Sequence, residues 1–137
     1  MKTDVCSAIS IATTHYALYD TGDVTGVDKV FAPDLIDHNP VPGAPTGIEG
    51  MRMLIGEVRI GFTDTHHEIV FQRELPNGWV VSHWRMTATH AEDAFGAPAS
   101  GRPVSFNGTD IVRVADGRII EIYHVAERLQ MQVQLTA

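Results

Sequence analysis

With a single cysteine, Cys6, in 137 residues, no internal disulfide can form, and a chain of this size must be held by its own core. One domain is expected over residues 1–137, burying about two-thirds of the surface its unfolded form exposes. Cys6 reads as a small apolar filler in a helix, and a reducing cytoplasm is the compartment this cysteine usage predicts. No segment approaches the roughly twenty apolar residues that span a bilayer, and no N-terminal stretch joins basic residues to a long apolar run. Basic residues are also scarce: ten Lys and Arg stand against seventeen Asp and Glu, a formal charge of −7. They are scattered, so the counterion release that drives nucleic-acid binding is missing, and neither nucleic acid nor an anionic membrane is an expected partner. No Gly-rich phosphate loop, Gly-x-Ser-x-Gly elbow or Cys/His nucleophile pair occurs.

What is present changes pattern once, from helical to extended. Thr3 is placed to cap a first helix running to about Tyr19, with Val5, Ile9, Ala12, Tyr16 and Tyr19 recurring at three or four, and Gly22 ends it. A short helix from Val24 to Phe31 stops at Pro33, and a brief strand, Asp34 to His38, leads into a stiff loop at Pro40, Pro42, Gly43 and Pro45. Thr46 with Glu49 forms a capping box for a third helix whose buried stripe is Met51, Leu54, Ile55 and Val58. Extended runs follow at His66 to Leu75, Trp79 to His90 and Arg102 to Val114, with Ile119 to Val125 closing a last hairpin and a final helical turn within Ala126 to Leu135. Ala91 to Gly101, rich in small residues, is placed to cover a pocket mouth. The resulting fold class is α+β: N-terminal helices packed on the concave side of a cone-shaped, curved, mostly antiparallel sheet that leaves a ligand-sized hollow.

The last hairpin carries the chemistry. Phe106, Asp110, Val112 and Val114 share one side of its first strand, and Ile120, Ile122 and His124 one side of its second. A three-residue loop with Gly117 as a left-handed bulge residue puts Asp110 and His124 on one face; a two-residue turn at Asp116-Gly117 would put them on opposite faces. The bulged loop is preferred because it groups Ile120 and Ile122 with Val112 and Val114. The outer face then offers Ile111, Ile119 and Tyr123 among charges such as Arg113 and Glu121, a pattern that suits a homodimer contact. His66-His67 beside Glu68 suggests metal, but neighbouring strand residues face opposite ways and no zinc or iron spacing appears, so no metal is expected.

Across nearly the whole chain the sequence resembles the SnoaL-like polyketide cyclases of the nuclear transport factor two-like superfamily. The matching signs are Asp37-His38-Asn39-Pro40, Gly47-Ile48-Glu49-Gly50, Val80-Val81-Ser82-His83-Trp84-Arg85, Thr89-His90, Gly101-Arg102-Pro103-Val104 and Asp116-Gly117-Arg118-Ile119-Ile120-Glu121. The resemblance implies a cofactor-free enzyme on a hydrophobic polycyclic molecule and a homodimer or higher homo-oligomer. It implies aldol-type cyclisation, with hydroxylation or epoxide opening in close relatives. Where those cyclases end the last hairpin in Glu-His-Trp-Asp, with the Asp as acid/base, this chain has Glu121-Ile122-Tyr123-His124. Asp110 stands where a pocket histidine is expected, so the pair looks interchanged.

The expected machinery is therefore His124 as base and Asp110 as the carboxylate that orients it. His38 and His90 would stabilise the developing enolate at the rim, and Trp84, Met86, Phe106 and Met51 would complete the substrate lining. The alternative in a different class is a non-catalytic small-ligand-binding module, because fold alone does not fix function.

Overall fold

The computed structural model describes residues 7–137; Thr3 and Cys6 lie outside them. Helix α1 (Ala8–Thr21) is capped by Ser7, whose Oγ accepts the Ser10 N–H at 3.2 Å, and it closes at Gly22 in the left-handed conformation. A 3₁₀ turn (Val24–Gly26) and the single-turn α2 (Val27–Val30) lead into β1 (Phe31–Asp37). Phe31 is thus the first residue of a strand and not the end of a helix. β1 tolerates Pro33 because it is an edge strand.

Helix α3 (Gly47–Gly61) begins at Thr46 as expected, but the capping box does not form. Thr46 makes no side-chain cap bond, and Glu49 turns instead to Arg52, which also holds Asp28 at 2.9 Å. Strands β2 (Phe62–Glu74), β3 (Trp79–His90), β4 (Pro103–Ala115) and β5 (Arg118–Ala126) form an antiparallel meander, and β1 joins parallel to β5, giving the order β1-β5-β4-β3-β2. The expected last helical turn is a full helix, α4 (Arg128–Thr136), fastened to β4 through Glu127 on Asn107 and Gln134 on Ser105.

The β4–β5 connection differs from the sequence expectation in a way that matters for the site. Asp116 and Gly117 both have positive φ, 52° and 78°, the signature of the two-residue turn whose backbone twist matches the right-handed twist of the flanking strands. On its own that turn would oppose Asp110 to Tyr123. Instead, Val114 pairs with Ile119 while Arg113 pairs with Glu121, so β5 carries one extra residue at Ile120. This bulge restores the pairing of Asp110 with His124. The two-residue turn, for its part, pairs Ile119 with Val114 and so points it inward at 0% exposure; Ile119 is a core residue and not the outer-face contact the sequence suggested.

Two cores result. One joins α1, α2 and α3 to β1, β4 and β5 through Val27, Phe31, Met51, Ile55, Ile119 and Ile122; each such fully buried side chain contributes roughly 1.5–3 kcal/mol. The other joins Tyr16, Phe62, Trp84, Met86, Phe106 and the α4 residues Met131 and Leu135. Gly108 lets the second close up: a Cβ there would run into the six-membered ring of Trp84, which lies across it. No described helix is long and apolar enough to cross a membrane.

His15 is 1% exposed, wedged between Tyr16, Tyr19 and Phe31, and neither ring nitrogen has a partner among the described residues. Burial, aided by the neighbouring His67 and His124, pushes its pKa from 6.5 down to about 3. The unfolded chain therefore binds the extra proton between these values, and stability falls as pH drops through that window. The loss is ~2 kcal/mol by about pH 5. His15→Leu should remove this component: its urea midpoint should fall distinctly less than that of the wild type between about pH 7.5 and pH 5. Equal falls in the two proteins would refute the assignment.

Candidate functional site

The sheet, α1, the loop after β1 and α4 enclose a cavity of about 430 Å³. Its wall is mostly apolar: Leu54 and Val58 from α3, Phe62, Trp84, Met86 and Phe106 from the sheet, Phe95 from the 91–101 loop and Met131 from α4. Such a hollow with a few convergent polar groups is the usual form of a small-molecule site. The polar groups are Tyr16, Tyr19, Asn39, His67, Asp110, His124 and Arg128.

Asp110 sits at the buried end. Its Oδ2 accepts the Tyr16 hydroxyl at 2.5 Å and the Trp84 indole N–H at 3.0 Å, while Oδ1 has no partner among the described residues. Burial raises its pKa above the ordinary carboxylate value, against the opposing hydrogen bonds of Tyr16 and Trp84 and the nearby His124 and His67. The same carboxylate and the same burial push the Tyr16 phenol up, so Tyr16 stays a hydrogen-bond donor at any physiological pH.

His124 lies directly opposite Asp110 on the next strand and lines the same cavity. Asp110 is nevertheless not the carboxylate that holds it. The Nε2–H of His124 donates to Asp37 Oδ1 at 2.8 Å, and the His124 backbone N–H donates to Asn39 Oδ1 at 3.0 Å. Asp37 is 3% exposed in its side chain. Burial pushes its pKa upward, but the hydrogen bonds from His124 and the Asn39 N–H, with the fields of His124 and His38, hold it below the usual range. An ionised Asp37 fixes the tautomer of His124 with the lone pair on Nδ1.

Three expected site residues lie elsewhere. His38 is on the outer face, stacked on Tyr123 at 4.0 Å with its Nε2 2.6 Å from Glu121 Oε2, because alternation along the strand end sends Asp37 and Asn39 inward and His38 out. His90 is fully buried against Phe62, its Nδ1 on Ser100 Oγ at 2.9 Å and its backbone paired to Gly101 and Arg102; it anchors the 91–101 loop. Met51 faces the first core, and Leu54, three residues further along the helix, takes its place on the cavity wall. Trp84, Met86, Phe106, Asp110 and His124 are brought together as expected.

Reading the sequence missed Asp37, Asn39, Tyr16, Tyr19 and His67. Asp37 and Asn39 flank His38 in a quoted motif, and the period of two would have found them once His38 was set outside. Tyr16 and Tyr19 were legible only as a helix stripe. His67 stood out only in the metal-like run His66-His67-Glu68, and nothing local pointed to its partner: its ring Nδ1 lies 2.7 Å from Asp20 Oδ1, 47 residues away.

Asp110 should be costly to keep. Its raised pKa means the unfolded chain ionises first as pH rises past the ordinary carboxylate value, so the group lowers stability at neutral pH. Asp110→Asn keeps an acceptor for Tyr16 and Trp84 without the charge. It is expected to melt a few degrees higher than the wild type at neutral pH, with the gap closing in acid; a variant that melts lower at neutral pH would contradict this.

The comparisons with known proteins agree with this architecture. Nogalonic acid methyl ester cyclase of Streptomyces nogalater is 26% identical over 102 residues, which is 74% of this chain and 76% of that protein. The structure of TsrD from Streptomyces laurentii superposes with a TM-score of 0.83 at 25% identity, covering 98% of each chain. A candidate polyketide cyclase from Bacillus cereus gives a TM-score of 0.80 at 26% identity over 95% of this chain and 82% of that one. The family model for SnoaL-like polyketide cyclases matches residues 9–135, and with a match of that extent the chain belongs to the SnoaL-like polyketide cyclase family.

Proposed function

We propose that the protein is an acid/base enzyme that closes or isomerises a hydrophobic polyketide-like ketone, with His124 as base and Asp110 as acid. The observation that carries this reading is the 2.8 Å contact of His124 Nε2 with Asp37 Oδ1: a carboxylate there can only accept, so it assigns the hydrogen to Nε2 and leaves the lone pair on Nδ1 of a residue that lines an apolar cavity. Nδ1 takes the proton from carbon next to the substrate carbonyl. Asp110, whose burial favours the protonated carboxyl, gives its proton from Oδ1 to the oxygen on which negative charge develops.

In a cyclisation, the enolate carbon attacks a second carbonyl carbon, one C–C bond forms, and the proton from Asp110 ends on the new hydroxyl. His124 is then cationic and Asp110 anionic. Their direct opposition on adjacent strands gives the short path by which the proton returns and the cycle closes. Each proton transfer is worth about 10²- to 10⁴-fold, and orientation in the cavity supplies the rest.

The first substrate to assay is nogalonic acid methyl ester, after the name of the Streptomyces nogalater relative. His124→Ala should lower kcat/KM by about 10²- to 10⁴-fold with the fold intact. Asp37→Asn should lower kcat more than it changes KM, and the double change His124→Ala with Asp37→Asn should cost little beyond His124→Ala alone, since the two act as one unit. Asp110→Asn combined with His124→Ala should instead show a further loss. Full turnover by His124→Ala would eliminate the base assignment, and a ligand bound tightly but returned unchanged by the wild type would favour a binding module.

We also propose a homodimer through the outer sheet face, now centred on Ile111 and on Tyr123, which is 41% exposed. Sedimentation should give a dimer at micromolar concentration; a monomer there would reject it.

A further inference from the structure

The cavity wall holds a second histidine–carboxylate pair that the reaction described above does not use. His67, on the far edge strand β2, has 3% side-chain exposure and lines the cavity. Both oxygens of Asp20, at the last turn of α1, are spent on it: Oδ1 lies 2.7 Å from ring Nδ1, and Oδ2 accepts the His67 backbone N–H at 3.1 Å. The ring is further fixed by Tyr16, Tyr19 and Trp84, with centroids 5.4, 5.3 and 5.0 Å away.

A ring fixed on this many sides has one group left to offer. Asp20 does not line the cavity, so Nδ1 faces away from it and carries the hydrogen donated to the carboxylate. Nε2, on the other side of the ring, has no partner among the described residues and presents a lone pair. A lone pair recognises a donor: a carbonyl oxygen there would be repelled, whereas a hydroxyl would be bound. A phenol or enol is the strongest such donor, because Asp20 stabilises the ring as it draws the proton toward itself.

The position of His67 adds a length. Between β5, which carries His124, and β2 lie β4 and β3, three strand spacings or roughly 14 Å along the sheet and less across the hollow. His67, on β2, therefore stands on the opposite flank of Asp110, on β4, from His124, on β5, so the two histidines address different groups of one ligand. We infer that His67, held by Asp20, is a specificity-determining residue that accepts a hydrogen bond from an acidic ring hydroxyl of a fused-ring ligand at the end away from His124, an assignment that rests on the cavity being the substrate site.

The test uses two small fused-ring probes that differ only in the donor, 2-naphthol and 2-methoxynaphthalene, titrated into the whole protein by calorimetry. The wild type should prefer 2-naphthol about tenfold, the worth of one good hydrogen bond in a dry site. In His67→Phe, which keeps a ring against Tyr16, Tyr19 and Trp84, the preference should vanish while affinity for 2-methoxynaphthalene stays within about twofold. His67→Gln, which retains an amide oxygen as acceptor, should recover part of it. A preference that survives in His67→Phe but is lost in His124→Leu would place the hydroxyl at the other end and overturn this inference alone. No binding of either probe to the wild type would overturn it together with the reading of the cavity. If His67→Phe fails to fold, the His67→Gln and His124→Leu titrations decide between the two ends.

Discussion

One extra residue in β5 sets the inner face on which the rest of the site depends. The two-residue turn at Asp116-Gly117 alone would bring Tyr123 opposite Asp110 and send His124 to the outside of the sheet. The bulge at Ile120 shifts the register by one, and because side chains alternate with a period of two, that single step reverses every later residue of the strand. Ile122 then enters the core and His124 enters the cavity. Asp37, on the parallel neighbour of β5, comes within hydrogen-bond reach only because His124 faces inward.

Around that face the protein places polar groups where a stable fold would put hydrocarbon. Asp110, His15 and His67 are all buried, and only two of the three are hydrogen-bonded. Asp110 is held by donors on α1 and β3, so its carboxyl is fixed with one oxygen committed and one free. His124 and His67 are each backed by a carboxylate lying outside the cavity lining, and each turns one nitrogen away from that carboxylate. The common logic is that the apolar wall supplies the desolvation that shifts Asp110, and the carboxylates behind the histidines decide which nitrogen is available. Membership of the SnoaL-like family fixes the scaffold for this arrangement; the pairings themselves belong to this chain's own residues.

Several of these contacts had readable sequence signals and others had none. The helices and strands follow from apolar spacing and from Gly and Pro punctuation, which act locally and can be counted. Trp84, Met86, Phe106 and Asp110 were legible as cavity residues because alternation puts them on one face of adjacent strands. His38 was misread because its neighbours, Asp37 and Asn39, are the inward pair, and Met51 because a helix stripe does not say which of two cores each turn meets. His90 was placed at the lid end, where it stands, but its ring and backbone are committed to holding the 91–101 loop.

By itself, then, the sequence determined the fold class and the apolar character of the hollow, since periodicity and composition are properties of short stretches, whereas the face shared by Asp110 and His124 came from a bulge at Ile120 that no local pattern showed. Only the tertiary structure decided the carboxylate partners. Asp37 reaches His124 across 87 residues of chain and Asp20 reaches His67 across 47. Which acid meets which histidine depends on a bulge of one residue and on how α1 settles against β2, and both are set by packing free energy summed over the whole core, not by any local pattern of residues.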